Sequence, residues 1–257
     1  MEKGEYLKKL YLAFGDFVFF SEDHHYEYKE KRVGTSVTRL IEEYAQNFDK
    51  ELIAQKVATK ENKTVEEVLE EWEEKNKWAC EKGSSIHNYV QDLWKNNVTF
   101  YVYNDNYDKQ KEEIIELIKE QAINFYEDYQ DKLEHLADEF VIGSEEYNVA
   151  SAVDHLFIDK ETGGLVLVDY KTNSNIHKNE KYAKYMKAPL EHLKDTTLNH
   201  YFLQLSIYKY IIERYTDLKI QTMFIVYMSE NLDNYEVIDI PYLEKEAGEL
   251  LEWNIWN

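Results

Sequence analysis

The chain carries a single cysteine, Cys80, in 257 residues. That excludes a disulfide framework and any cysteine-held zinc or iron–sulfur site within one chain, and makes a reducing cytoplasm the natural compartment. Only two prolines and eight glycines punctuate the sequence, so long ordered elements are expected and flexible linkers are not. Arginine is scarce as well, confined to Arg32, Arg39 and Arg214. No stretch approaches the roughly 18 consecutive apolar residues of a membrane span. The apolar run within residues 1–20 is interrupted by Asp16 and followed by no small-residue cleavage site, which argues against a signal peptide. No GxxxxGK[ST] sequence occurs, so the chain has no P-loop motor of its own.

What is present is a soluble, globular composition, 44% apolar and 32% charged, with a net charge of −21 from 51 acidic and 30 basic residues. The length suits one large domain, or one domain with a helical extension. Phosphate contacts need Lys and Arg, so the acidic balance speaks against nucleic acid at first sight. Net charge describes solubility and steering, however, and not one groove. Between Lys171 and Lys194 the balance reverses, with Lys178, Lys181, Lys184 and Lys187 facing few acids. That segment fits a loop contacting a nucleic-acid backbone, and equally a solvated loop.

Helical spacing dominates the first 135 or so residues. Thr35 or Ser36 is placed to cap a helix reaching Asn47. Thr64 with Glu67 makes a capping-box pattern, Ser84 or Ser85 is placed to start a further helix, and Lys111–Leu136 reads as one long helix. The pattern then changes to strands: Glu139–Gly143, Asn148–Ile158 and Leu165–Lys171. A helix from Asn199 to Tyr215, strands Ile220–Met228 and Tyr235–Ile240 and a short C-terminal helix complete the order. This implies an α+β fold, a small central mixed β-sheet flanked by helices, with a helical N-terminal region.

The chemistry concentrates in SAVDHLFIDKETGGLVLVDYKTN (residues 151–173). DKETGG is a turn by composition. If Ile158 pairs with Leu165, Asp154 stands opposite Asp169, where Cβ atoms are about 4.5–5.5 Å apart and like charges repel. A divalent cation between them resolves the repulsion, and carboxylate oxygens are what Mg²⁺ or Mn²⁺ prefers. Lys171, two residues beyond Asp169, falls on the same strand face. Its ammonium is placed to orient a water, or to help remove its proton, for phosphodiester hydrolysis. A one-residue slip in register would separate the two acids. The D/E-x-K spacing recurs at Glu27, Glu61, Glu73 and Asp217, so only the partnered acid upstream distinguishes this hairpin from one with scattered surface charges.

Other residues carry two readings each. His87 borders an apolar helix stripe, as a structural histidine or a ligand. Glu145 and Glu146 are solvated strand-edge acids or an additional acid of the site. Gln204 and Tyr208, four apart on one helix face, are core neighbours or site residues.

Together, GSSIH (Gly83–His87), ASAVDHL (Ala150–Leu156), VDYKT (Val168–Thr172) and QLSIY (Gln204–Tyr208) resemble the PD-(D/E)XK nuclease superfamily, specifically its RecB-like and Cas4-like branch. GTSVTRLIEEYAQNFD (Gly34–Asp49) is similar to the opening segment of phage-encoded exonucleases of this type. The resemblance implies a restriction-endonuclease-like core over residues 81–257, with residues 1–80 as a helical region packed on it. It implies metal ligation by His87, Asp154, Asp169 and the Tyr170 carbonyl, and a catalytic set of Asp154, Asp169 and Lys171. Gln204 and Tyr208, with Lys178 and Lys181 from the basic segment, would lie along the DNA, and Glu145 or Glu146 looks like the extra acid of some members. Two departures stand out: Ser151 replaces a common glycine, and the four cysteines that hold an iron–sulfur cluster in several relatives are absent.

The expected activity is therefore Mg²⁺- or Mn²⁺-dependent hydrolysis of linear or single-stranded DNA. An exonuclease role in phage-type replication, recombination or repair is implied, with a replication or recombination protein as a possible partner. Two rivals remain at this stage, a catalytically silent nuclease-fold scaffold and an acidic DNA mimic.

Overall fold

The computed structural model describes residues 1–95, 108–177 and 183–256. Lys178 and Lys181 lie outside the described residues. The order begins with helix α1 (Lys3–Phe14) and a small antiparallel sheet of β1 (Phe17–Phe20), β2 (His25–Tyr28) and β3 (Lys31–Arg32). Strand β4 (Thr35–Ser36) leads into α2 (Val37–Tyr44), α3 (Lys50–Glu61), α4 (Val65–Trp94) and α5 (Lys109–Tyr129). Then come β5 (Leu133–Ser144), β6 (Val149–Asp159), β7 (Leu165–Lys171), α6 (Thr197–Tyr215), β8 (Ile220–Tyr227), β9 (Glu236–Asp239) and α7 (Glu244–Trp256).

Local chemistry explains most of these starts. Ser36 caps α2 by accepting the Arg39 N–H at 3.2 Å. Thr64 and Glu67 satisfy each other's backbone donors at 3.1 and 2.7 Å, closing the capping box that opens α4. That helix then runs unbroken for 30 residues, past the serines expected to start a new one. Trp78, Lys82, Ile86, Val90 and Trp94 recur every four residues, so one stripe holds the helix on the core from Trp78 onward, while Val65, Val68, Leu69 and Trp72 pack against α3. The expected division near residue 80 thus falls inside a continuous helix.

The helix expected to reach Leu136 stops at Tyr129. Leu133 and Leu136 are spaced for one helix face, but in β5 they point to opposite faces, into two separate cores. The mainly helical N-terminal region also holds the small sheet β1–β3 among its helices.

The main sheet is mixed, in the order β5-β6-β7-β8-β9, with short β4 pairing β6 in parallel. β5–β6, β6–β7 and β8–β9 are antiparallel, and β7–β8 is parallel, joined by the α6 crossover. The sheet therefore sits between helical layers, in the α+β arrangement expected. One core holds α1, α2, α6 and α7 against Leu165, Leu167 and Ile225. The other packs α4 and α5 against Val166, Val168, Tyr170 and Val226. Burial on both faces is why β7 reads as a nearly continuous apolar run.

Candidate metal centre

β6 and β7 pair from Ile158↔Leu165 to His155↔Val168, the register that sets Asp154 against Asp169. Beyond that point β7 continues beside β8 as far as Lys171↔Tyr227, while β6 takes β4 as its neighbour at Val149 and Ala150. The two strands fork. In an antiparallel ladder the N–H and C=O of one residue point to the same side. At the fork, those of Tyr170 point towards β6 and find side chains instead of backbone. The Tyr170 N–H donates to Asp154 Oδ2 at 3.3 Å, and His87 Nε2 donates to the Tyr170 carbonyl at 2.9 Å. His87 Nδ1 lies 3.5 Å from the same Asp154 oxygen. The fork is what lets a histidine from α4 reach acids on the sheet.

Among the described residues, His87, Glu139 and Asp154 bring donor atoms within 4.8 Å of one another. Glu139 falls between the pairs Asp138↔His155 and Phe140↔Val153, hence opposite Asp154. Its φ of 45° puts a non-glycine residue in the left-handed region, a strained backbone of a kind concentrated at functional sites. Gln91 Nε2 steadies its carboxylate at 3.2 Å.

Glu145 and Glu146 are elsewhere. They occupy the turn after β5, where Glu146 accepts from Arg214 at 3.0 Å and from the Tyr215 hydroxyl at 3.0 Å. The acid beside Asp154 is Glu139, from the middle of β5. Counting outward from the turn that pairs Ser144 with Val149 identifies it, a signal available in the sequence once that turn is recognised.

Asp169 and Lys171 share the α6 face of β7. Asp169 is 1% exposed, and Lys171 Nζ lies 2.6 Å from its Oδ2. Apart from that ion-pair contact, neither Asp169 oxygen has a hydrogen-bond partner. Burial, opposed by Lys171 and reinforced by Asp154, pushes the Asp169 carboxyl up to about 6. Burial alone would weaken the Lys171 charge, but Asp169 and Asp154 outweigh it and hold the ammonium above the usual lysine range. Burial also works against Asp154, yet His87, Lys171 and His155 keep its carboxyl below the usual range. For Glu139, burial and then Asp154 push the carboxyl up.

Gln204 and Tyr208 do meet behind this centre. Gln204 Nε2 donates to the Tyr208 hydroxyl at 2.8 Å, and the same hydroxyl lies 2.9 Å from Ser151 Oγ. Ser151 is therefore absorbed as a buried hydrogen-bond partner. Besides Glu139, Tyr201 was not anticipated: its ring centroid lies 4.6 Å from Lys171 Nζ, a cation–π contact.

The profile of the PD-(D/E)XK nuclease superfamily matches residues 13–254. The chain belongs to this superfamily. No curated protein matches the sequence significantly. The chain is also similar to a solved structure described as "Crystal structure of SSO0001", at 14% identity, covering 65% of this chain and 84% of that one, with a TM-score of 0.31. A likeness that low bears on neither fold nor function.

PD-(D/E)XK nucleases use divalent metals, and the residues here fit one. Carboxylate and carbonyl oxygens with one imidazole suit a hard or borderline divalent cation. Buried polar atoms are nearly always partnered. Asp169 Oδ1 has no partner and Oδ2 has only Lys171, so this buried carboxylate keeps acceptor capacity for such an ion. His87, Glu139, Asp154, Asp169 and the Tyr170 carbonyl would hold it.

No helix among the described residues is long and apolar enough to cross a membrane.

Proposed function

We propose that this PD-(D/E)XK protein is a Mg²⁺- or Mn²⁺-dependent deoxyribonuclease of the RecB-like and Cas4-like branch. It acts on DNA ends or single strands, as an exonuclease in phage-type replication, recombination or repair. The observation that carries the reading is the buried Asp169–Lys171 pair beside the His87, Glu139 and Asp154 cluster at the strand fork.

When bound, a divalent cation supplies charge stabilisation at the phosphate and a more acidic water. Asp154 and Asp169 stand one step beyond the His155↔Val168 pair on adjacent strands, close enough for the charge of Asp154 to act on Asp169. The Tyr170 N–H and the Gln91 amide keep Asp154 and Glu139 from rotating away. Lys171, held as an ammonium, donates to the attacking water or a phosphate oxygen and so orients the nucleophile. Tyr201 over its Nζ limits where that ammonium points. Gln204 and buried Tyr208 brace β6 through Ser151, and Gln204 also reaches a cavity beside α6.

The test is digestion of end-labelled linear and closed-circular DNA by the wild-type chain with Mg²⁺, Mn²⁺ or EDTA. Metal-dependent loss of linear DNA with circles spared is the expected result. Equal attack on circles would make the enzyme an endonuclease. Intact DNA with every metal would remove the catalytic reading and favour the scaffold.

A further inference from the structure

A cavity of about 270 Å³ opens between α2 and the first turns of α6. Buried Ile41 contributes an apolar wall, and Tyr201 stands at the side nearest the metal centre. The same Tyr201 ring touches Lys171 Nζ at 4.6 Å, and its hydroxyl donates to Asn173 Oδ1 at 2.9 Å. The cavity is therefore one side chain away from the reacting centre, and its aromatic wall is held in place from behind.

Its polar lining is neutral or acidic: the Thr38 and Thr197 hydroxyls, the Gln204 amide and the Glu42 carboxylate. Gln204 commits its Nε2 to Tyr208, while its amide oxygen has no partner among the described residues. His200, also lining the cavity, is tied to Asp195 at 2.7 Å. A phosphate here would meet Glu42 with no lysine or arginine in the lining to offset it. A neutral planar group with donors and acceptors on its edge fits an aromatic wall, an apolar wall and this set of polar atoms.

We infer that this cavity receives one unpaired nucleobase of the DNA strand, next to the bond being cut. The inference rests on the nuclease reading and deepens it. A base in a duplex has its Watson–Crick edge covered and both faces stacked, so only a single-stranded or extruded nucleotide reaches the cavity. The pocket makes the enzyme a cutter of single strands and of nucleotides that have left the duplex at an end, and it seats the neighbouring phosphate by anchoring its base.

The experiment uses short single-stranded oligonucleotides carrying one abasic residue, moved along the strand a position at a time. Cleavage is mapped bond by bond with Mn²⁺, and binding is followed by fluorescence anisotropy in EDTA. Wild type is expected to lose about tenfold or more in kcat/KM at the one bond whose neighbouring residue is abasic. Thr38→Phe, on the exposed face of α2, fills the cavity and is expected to cut intact and abasic strands at the same reduced rate. Equal kcat/KM for intact and abasic strands at every position would overturn the pocket while leaving the nuclease standing. If wild type cuts neither strand, the nuclease reading fails by itself, and the anisotropy decides the pocket. Equal affinity for both strands would then overturn it.

Discussion

Glu139 stands opposite Asp154 across the β5–β6 ladder, with its backbone held at φ 45°. Two carboxylates face each other there, and one of them keeps a conformation that side chains other than glycine rarely adopt. A left-handed non-glycine residue costs roughly 1–2 kcal/mol. Glu139→Gln is expected to weaken metal binding by about 10–100-fold, with activity partly restored at high Mn²⁺. Glu139→Gly should bind metal as poorly yet melt higher, because glycine accepts the backbone angle. Titration of Mn²⁺ against both variants checks this. Glu145→Gln and Glu146→Gln, in the turn beyond β5, should leave the metal titration unchanged.

Asp169 links stability to pH. Its folded carboxyl is pushed up to about 6 from an ordinary 3.8, so between those values the folded chain holds more protons than the unfolded one. Its contribution to stability therefore falls as pH rises through that window. Metal binding needs the ionised form, so metal-induced stabilisation should grow over the same window. Asp169→Asn removes both effects. Metal-free, it should melt at or above wild type at pH 8, and Mg²⁺ or Mn²⁺ should no longer raise its Tm. A variant that melts far below wild type at pH 8 would show that the carboxylate stabilises the apo fold.

On the proposed reading, Lys171 would serve the chemical step and contribute little to metal capture. Lys171→Met is expected to lower kcat by about 10²–10⁴-fold while the metal still raises Tm. Tyr201→Phe keeps the ring over the ammonium and should retain most activity. Tyr201→Ala should lower kcat more than it changes the metal titration. Rapid-quench single-turnover rates beside melting curves separate the two contributions.

His155 is 1% exposed, and neither of its ring nitrogens has a hydrogen-bond partner. It lies between Phe157, stacked at 5.6 Å, and Tyr170. Burial drives its pKa from 6.5 down to about 3, with Asp154 opposing. Folded His155 thus stays neutral where the unfolded residue takes a proton. Its contribution to stability is present above 6.5 and is lost as pH falls from 6.5 towards 3. His155→Phe should reduce the acid sensitivity and cost little at pH 8. Denaturant titrations at pH 5 and pH 8 measure the difference. An equal shift of stability at the two pH values would contradict the neutral, buried state.

The parts legible in the sequence are those set by local chemistry. β7 runs over Leu165–Lys171 as read, and the Ile158↔Leu165 register follows from its turn. There Asp159 accepts the Glu161 and Thr162 N–H groups, and Gly163 takes φ 71°. The Thr64 capping box is equally local. What was not legible depends on partners distant in the chain. Ser84 and Ser85 look like caps, but the stripe from Trp78 to Trp94 carries α4 straight past them. β1 to β3 are two to four residues long; β1 alternates in burial over only four residues, and β2 and β3 do not alternate at all. Glu139 belongs to the centre only through the β5–β6 register, and Tyr201 only through a cation–π contact across a crossover.

The measurement that tests the central claim most directly is the rate at which a labelled single strand is cut at saturating Mn²⁺ by wild type, Asp169→Asn and Lys171→Met. Metal-dependent cutting by wild type that both substitutions reduce at least about a hundredfold, with both variants folded, is the expected result. Variants that cut as fast as wild type would place the chemistry outside the β6–β7 fork and contradict the account.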